Sequence, residues 1–170
     1  MPVILAFLLY ATTVGAQTAA DSSAGLPLQK VAFLFGEWAA RGDTELGAAE
    51  GVCSFTPEIG NRLVVRRSWV KYSSGRAAGT RHEDLLIIYA EDMDSRLRAV
   101  FFDGEGHVIR YNITVPSPNK AVFESEPSQP GPKYRLTDTV TDKTLETKFE
   151  VAPPGQSKYQ TYVSGSATRK

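Results

Sequence analysis

Residues 98–115 read RAVFFDGEGHVIRYNITV. Two alternating runs flank the tetrad Asp103-Gly104-Glu105-Gly106, and a histidine follows it directly. Strict alternation of apolar and polar side chains marks a half-buried β-strand, and a Gly-bearing tetrad between two such runs reads as a hairpin. Arg98 assigns the outward face of the first run, leaving Leu97, Ala99 and Phe101 inward. In the second run Arg110, Asn112 and Thr114 go out, so His107, Ile109, Tyr111, Ile113 and Val115 go in. His107 is then either the first residue of a returning strand, bonded to Asp103 across the turn, or an inward polar group beside Tyr111.

The same period of two extends along most of the chain. Candidate strands are 37–42, 47–56, 61–72, 80–90, 96–103, 107–116, 120–126, 132–141, 144–151 and 158–167, with Gly, Pro, Asn and Asp in nearly every gap. Further inward residues are Ala121 and Phe123; Tyr134, Leu136 and Val140; and Leu145, Phe149 and Val151. Strand 80–90 is apolar on both faces from Leu85 to Tyr89, so its parity stays open. Of Glu83 and Asp84, which His82 precedes, only one can point inward. Ahead of the strands, Leu28, Val31, Ala32 and Phe35 form one apolar helical stripe, and Gly36 stands where a helix end favours a left-handed residue.

Ten short strands joined by hairpin-length links, with no helices between them, predict an all-β antiparallel up-and-down barrel behind a short N-terminal helical turn. Closure removes the two open edges of such a sheet and encloses a cavity. A β-sandwich fits the strand count as the alternative. The chain's 170 residues suit one domain, and 19 basic against 19 acidic side chains leave no electrostatic footprint for nucleic acid or anionic membrane.

The N-terminus departs from the pattern. Val3–Tyr10 is an unbroken apolar run, and Val14-Gly15-Ala16 closes it with small residues, as in a secretory signal peptide cleaved after Ala16. Its basic n-region is missing, since no Lys or Arg precedes Lys30. The expected organisation is a signal peptide over 1–16, a flexible segment over 17–27 and one barrel domain over 28–168. The product would be secreted or periplasmic, without a transmembrane segment after cleavage. The single cysteine, Cys53, forms no internal disulfide and reads as a small buried hydrophobe.

Catalytic templates fail in turn. VSGSA at 163–167 is not a nucleophile elbow. DMDSRLR from Asp92 puts Arg96 at a calcium-ligand position and Leu97 at the required glycine. Gly104-x-Gly106 lacks the third glycine and the helix of a phosphate loop. Cys53, His82 and His107 show no zinc spacing, so neither catalytic residues nor metal ligands are assigned. Asn112-Ile113-Thr114 is a formal glycosylation sequon.

At FLFGEW, residues 33–38, the chain resembles a calycin, the lipocalin and fatty-acid-binding-protein group, where a tryptophan of the first strand closes one barrel end. That resemblance implies this role for Trp38. RHEDLLIIYAED (81–92), LRAVFFDGEGHVIRY (97–111), PKYRLTD (132–138) and KFEVAPPG (148–155) resemble an uncharacterised family of small secreted bacterial lipocalin-like proteins, over about residues 28–168. A more distant similarity is to nitrobindins, ten-stranded barrels that bind haem through a histidine near the C-terminal end. SKYQTYVSGSATRK (157–170) has no histidine, so no haem or other cofactor is expected; Tyr159 and Tyr162 are the residues there able to ligate iron.

The reading that follows is a secreted barrel that binds a small hydrophobic or amphipathic molecule, with enzymatic activity left open. Its expected ligand-binding residues are His82, Phe101, His107, Ile109, Tyr111, Phe123, Tyr134 and Phe149. Alternatives are an isomerase or hydrolase using His107 or His82 with Asp103, Asp84 or Tyr111, and a protein-interaction scaffold carrying an exposed apolar patch. The pattern carries no information on oligomeric state.

Overall fold

The structure, a computed structural model, describes residues 26–44, 46–91, 95–127 and 131–170. Ten antiparallel strands close into a barrel: β1 (Gly36–Thr44), β2 (Gly47–Glu58), β3 (Leu63–Tyr72), β4 (Arg81–Ala90), β5 (Leu97–Asp103), β6 (Val108–Ser117), β7 (Lys120–Ser125), β8 (Lys133–Thr141), β9 (Thr144–Ala152) and β10 (Gln160–Arg169). Each strand pairs with its sequence neighbours, and β10 returns to β1. All ten expected strands are present, and the sandwich alternative is excluded. Along β5 to β9 the expected inward residues lie in the core cluster or pack against it, save Val151 and the exposed His107, which line the cavity described below.

The register resolves the open parity of β4. Leu86 stands opposite Arg66 and Phe101, and Asp84 opposite Ser68. His82, Asp84, Leu86 and Ile88 therefore face in, while Glu83 is exposed outside. The outward Leu85, Ile87 and Tyr89 are half-buried, with Val65 and Val100 flanking Ile87. An apolar outer row explains why alternation fails there.

The opening turn is shorter than one regular helix. It comprises α1 (Leu26–Gln29) and a 3-10 turn, η1 (Ala32–Leu34). Leu28, Val31 and Leu34 are buried, whereas Ala32 and Phe35 remain half-exposed. The buried set follows the three-residue period of a 3-10 turn, which corrects the expected stripe. Gly36 has φ +114°, so it turns the chain into β1 and does not sit in the left-handed helical well. Leu26 and Pro27, the last two residues of the expected flexible segment, belong to α1, and Pro27 is buried. The expected leader and most of that segment lie outside the described residues.

This turn closes one end of the barrel. Trp38 is fully buried beneath it and donates its indole N–H to the Leu34 carbonyl at 2.8 Å. Leu28, Val31, Leu34, Phe55, Val64, Ile88, Ile113, Ala121, Phe123 and Leu145 pack into one apolar cluster with it. At the opposite end, Gly47 has φ +135°, and a Cβ there would stand 1.8 Å from the Ser74 carbonyl oxygen. The β1–β2 turn thus rests backbone to backbone on the β3–β4 loop, which only glycine permits. Among the described residues no helix is long and apolar enough to cross a membrane.

Candidate functional site: the open end of the barrel

Away from Trp38 the barrel is hollow. A cavity of about 600 Å³ opens at the end formed by the last residues of β1, β3 and β5 and the first of β4, β6 and β10. That size suits a small organic molecule. Two unlike walls create it. On one side stand Phe101, Ile109, Tyr111, Tyr134, Leu136 and Phe149. On the other, β2, β1 and β10 present Ala49, Gly51, Ala40, Gly42, Gly165 and Ala167. These minimal side chains leave the space that large ones would fill. The seam between β1 and β10 pairs only Trp38 with Arg169 and Ala39 with Thr168, so the cavity also reaches both strand edges beyond it.

Seven of the eight expected residues line this cavity: His82, Phe101, His107, Ile109, Tyr111, Tyr134 and Phe149. Phe123 does not. It is buried towards the closed end, edge-on to Tyr111 at 6.2 Å between ring centroids. β7 is short and its inward residues sit one layer below the cavity, which period-two reasoning does not reveal.

The cavity floor is charged, lined by Arg66 and Asp84 with Asp138 buried behind it. Arg66 from β3 donates from Nη2 to Asp84 Oδ1 at 2.8 Å, and both side chains are more than nine-tenths buried. Asp138 from β8 is fully buried and accepts the Thr147 hydroxyl proton at 2.7 Å. Arg66 Nε and Asp138 Oδ2 have no hydrogen-bond partner among the described residues. Burial works against the Arg66 charge, but Asp84 first, then Cys53 and Asp138, outweigh it and raise its pKa. Burial raises the Asp138 carboxyl despite Arg66 and the Thr147 hydrogen bond. Cys53 lines the same floor with its thiol pushed up to about 12, chiefly by burial, with Arg66 opposing and both aspartates adding. Tyr111 is raised for the same leading reason.

Sequence reasoning missed this layer. Arg66 and Arg67 are neighbours, and only the ladder shows that Arg66 faces in while Arg67 pairs outside with Glu58 at 2.9 Å. Asp138 was legible: it lies between Leu136 and Val140 on a face already read as inward.

The mouth gathers the remaining polar groups. Asp103 Oδ1 accepts the backbone N–H groups of Glu105 and His107 at 3.0 and 2.9 Å, and Oδ2 lies 2.8 Å from His107 Nδ1. His107 is exposed and precedes β6 without belonging to it, since this turn holds it outside the ladder. Of its two expected placements, the bond to Asp103 across the turn is present, and the residue also lines the cavity mouth. Burial favours the neutral Asp103 carboxyl, yet the hydrogen bonds from His107 and Glu105 prevail and lower its pKa. His82 Nδ1 stands 3.2 Å from Glu105 Oε1, and its Nε2 stands 3.9 Å from Asp84 Oδ2.

Other candidates lie elsewhere. The sequon residue Asn112 is half-buried within β6, with Oδ1 buried and unpartnered. Asp92 to Asp94 of the calcium-like stretch fall outside the described residues. Tyr159 stacks outside under Arg135 at 4.2 Å, whereas Tyr162 reaches the mouth and meets Phe149 edge-on at 6.1 Å.

The sequence matches no protein-family model and no curated protein. In three dimensions the chain is similar to a solved structure described as "Crystal Structure of Rv2717c from M. tuberculosis", with TM-score 0.59 and 13% sequence identity over 85% of this chain and 97% of that one. Similarity at that identity speaks for the barrel fold alone.

Proposed function

We propose that this barrel is a secreted carrier that takes a small hydrophobic or amphipathic molecule into its open end. The observation that carries the reading is the cavity of about 600 Å³ with predominantly aliphatic and aromatic walls. Export rests on the apolar run and small residues of 1–16, and N-terminal sequencing of the exported protein tests it. The lipocalin-like family assignment belongs to the same reading.

Binding is favoured over catalysis by the placement of the imidazoles. Both lie at the mouth, with His107 58% exposed at its side chain, where water competes for any proton they would transfer. Displacement of a fluorescent fatty acid, together with native mass spectrometry of protein from its own source, tests the proposal. Saturable 1:1 probe binding that competitors displace is expected. Failure of every neutral, acidic and basic amphiphile to displace the probe, with no co-purifying molecule, overturns it. Haem absorbance after incubation is expected to stay that of free haem.

A further inference from the structure

The chain contains two histidines, 25 positions apart, and pairing of β4 with β5 and of β5 with β6 brings both to one carboxylate at the barrel mouth. Glu105 stands 3.2 Å from His82 Nδ1 through Oε1 and 3.8 Å from His107 Nδ1 through Oε2. Donor atoms of Asp103, Glu105 and His107 lie within 4.8 Å of one another. Ligands placed about 2.0–2.2 Å from a tetrahedral zinc ion stand about 3.3–3.6 Å apart, so rotations of the side-chain ends alone bring these donors into range.

His82 is set among carboxylates. Both ring nitrogens face carboxylates, Glu105 at Nδ1 and Asp84 at Nε2. A metal ion between Nδ1 and Glu105 leaves Nε2–H pointing towards Asp84, placed as the outer carboxylate that commonly orients a metal-bound histidine. Charge balance agrees. Among the described residues Asp103 and Glu105 form ion pairs only with imidazoles, while Arg66 is engaged by Asp84 and Arg81 by Glu83.

We propose that the mouth of the barrel is a divalent transition-metal site of the zinc type, with His82, Asp103, Glu105 and His107 as ligands. Two imidazoles with carboxylate oxygens suit zinc, cobalt or nickel and not calcium or magnesium, which take oxygen alone. The site borders the cavity, so a coordination position left open faces whatever the cavity holds. It stands whether or not an apolar ligand binds.

Calorimetric titration of the untagged protein with Zn²⁺, and visible absorption with Co²⁺, test it. One ion per chain is expected, with a cobalt spectrum of nitrogen and oxygen ligation and no thiolate charge-transfer band. His82→Ala and Glu105→Gln should each weaken binding at least about tenfold, and Cys53→Ser should leave it unchanged. His107→Ala also loosens the turn, so its circular dichroism is compared with wild type; His82→Ala carries the test if it unfolds. Absence of saturable uptake by the wild type, unchanged affinity in His82→Ala, or loss of binding in Cys53→Ser alone overturns the proposal.

Discussion

The guanidinium of Arg169 lies 4.0 Å from the centroid of the Trp38 ring, and its Nη2 donates to the Phe33 carbonyl at 2.9 Å while Nη1 donates to that of Phe35. Residues 131 positions apart thus join the last strand to the first and to the turn that closes the barrel. Trp38→Ala should cost about 3–5 kcal/mol, as for a buried aromatic. Arg169→Ala should cost about 1.5–3 kcal/mol, through its charged hydrogen bonds. Trp69, half-exposed beneath Arg81, should be replaceable for about 1 kcal/mol. Urea denaturation of the three variants checks the order, and equal small losses would remove Trp38 as the plug.

The ionic floor makes a second prediction. Arg66→Met strands Asp84 in the interior and should cost about 3–5 kcal/mol. The double variant Arg66→Met/Asp84→Leu removes both charges and should recover much of that loss. Additive destabilisation in the double-mutant cycle would show that the pair is not coupled.

Two buried carboxyls should act on stability with opposite signs. The hydrogen bond from Arg135 at 2.7 Å, opposed by burial and aided by Lys148, lowers the Glu150 pKa from 4.5 to about 2. Its contribution is complete above pH 4.5 and is lost as pH falls towards 2, and Glu150→Gln should remove about 1–2 kcal/mol at neutral pH. Asp138 is raised, so above the unfolded value near 3.9 the native state keeps a proton that the unfolded chain releases, and stability declines as pH rises. Asp138→Asn should abolish that decline. Denaturation midpoints from pH 2 to 8 would expose a wrong sign at either site.

Space for a ligand depends on glycine at chosen positions. A Cβ on Gly165 meets nothing within 4 Å, so Gly165→Leu should fill cavity volume, weaken probe binding at least tenfold and change stability by less than about 1 kcal/mol. At Gly51 a Cβ would stand 2.5 Å from the Trp69 carbonyl oxygen, so Gly51→Ala should destabilise by about 1–3 kcal/mol. Unchanged probe affinity in Gly165→Leu would place the probe outside the cavity.

Cys53 offers a reporter of the floor. With its thiol pushed up to about 12, the thiolate fraction at pH 8 is about one in ten thousand. Alkylation by iodoacetamide should be far slower than for free cysteine, and should become fast in denaturing urea. A native rate equal to that of free cysteine would contradict the burial assigned to this side chain.

Period-two alternation and turn chemistry determined the ten strands, their meander order and the inward faces of β5 to β9, because both signals are local and β5 to β9 each carry polar residues on one face. The opening turn and β6's first residue were less legible, since a 3-10 turn and a hydrogen-bonded hairpin are chosen by what they pack against. Where a strand is apolar on both faces, as from Leu85 to Tyr89, or carries adjacent arginines, as at Arg66 and Arg67, parity has no local marker. Only the ladders between β3, β4 and β5 turned Arg66 and Asp84 inward, met Asp138 across the barrel and brought His82 to Glu105. Inter-strand register is a property of several segments at once, and the electrostatic layer and the mouth exist only once it is set.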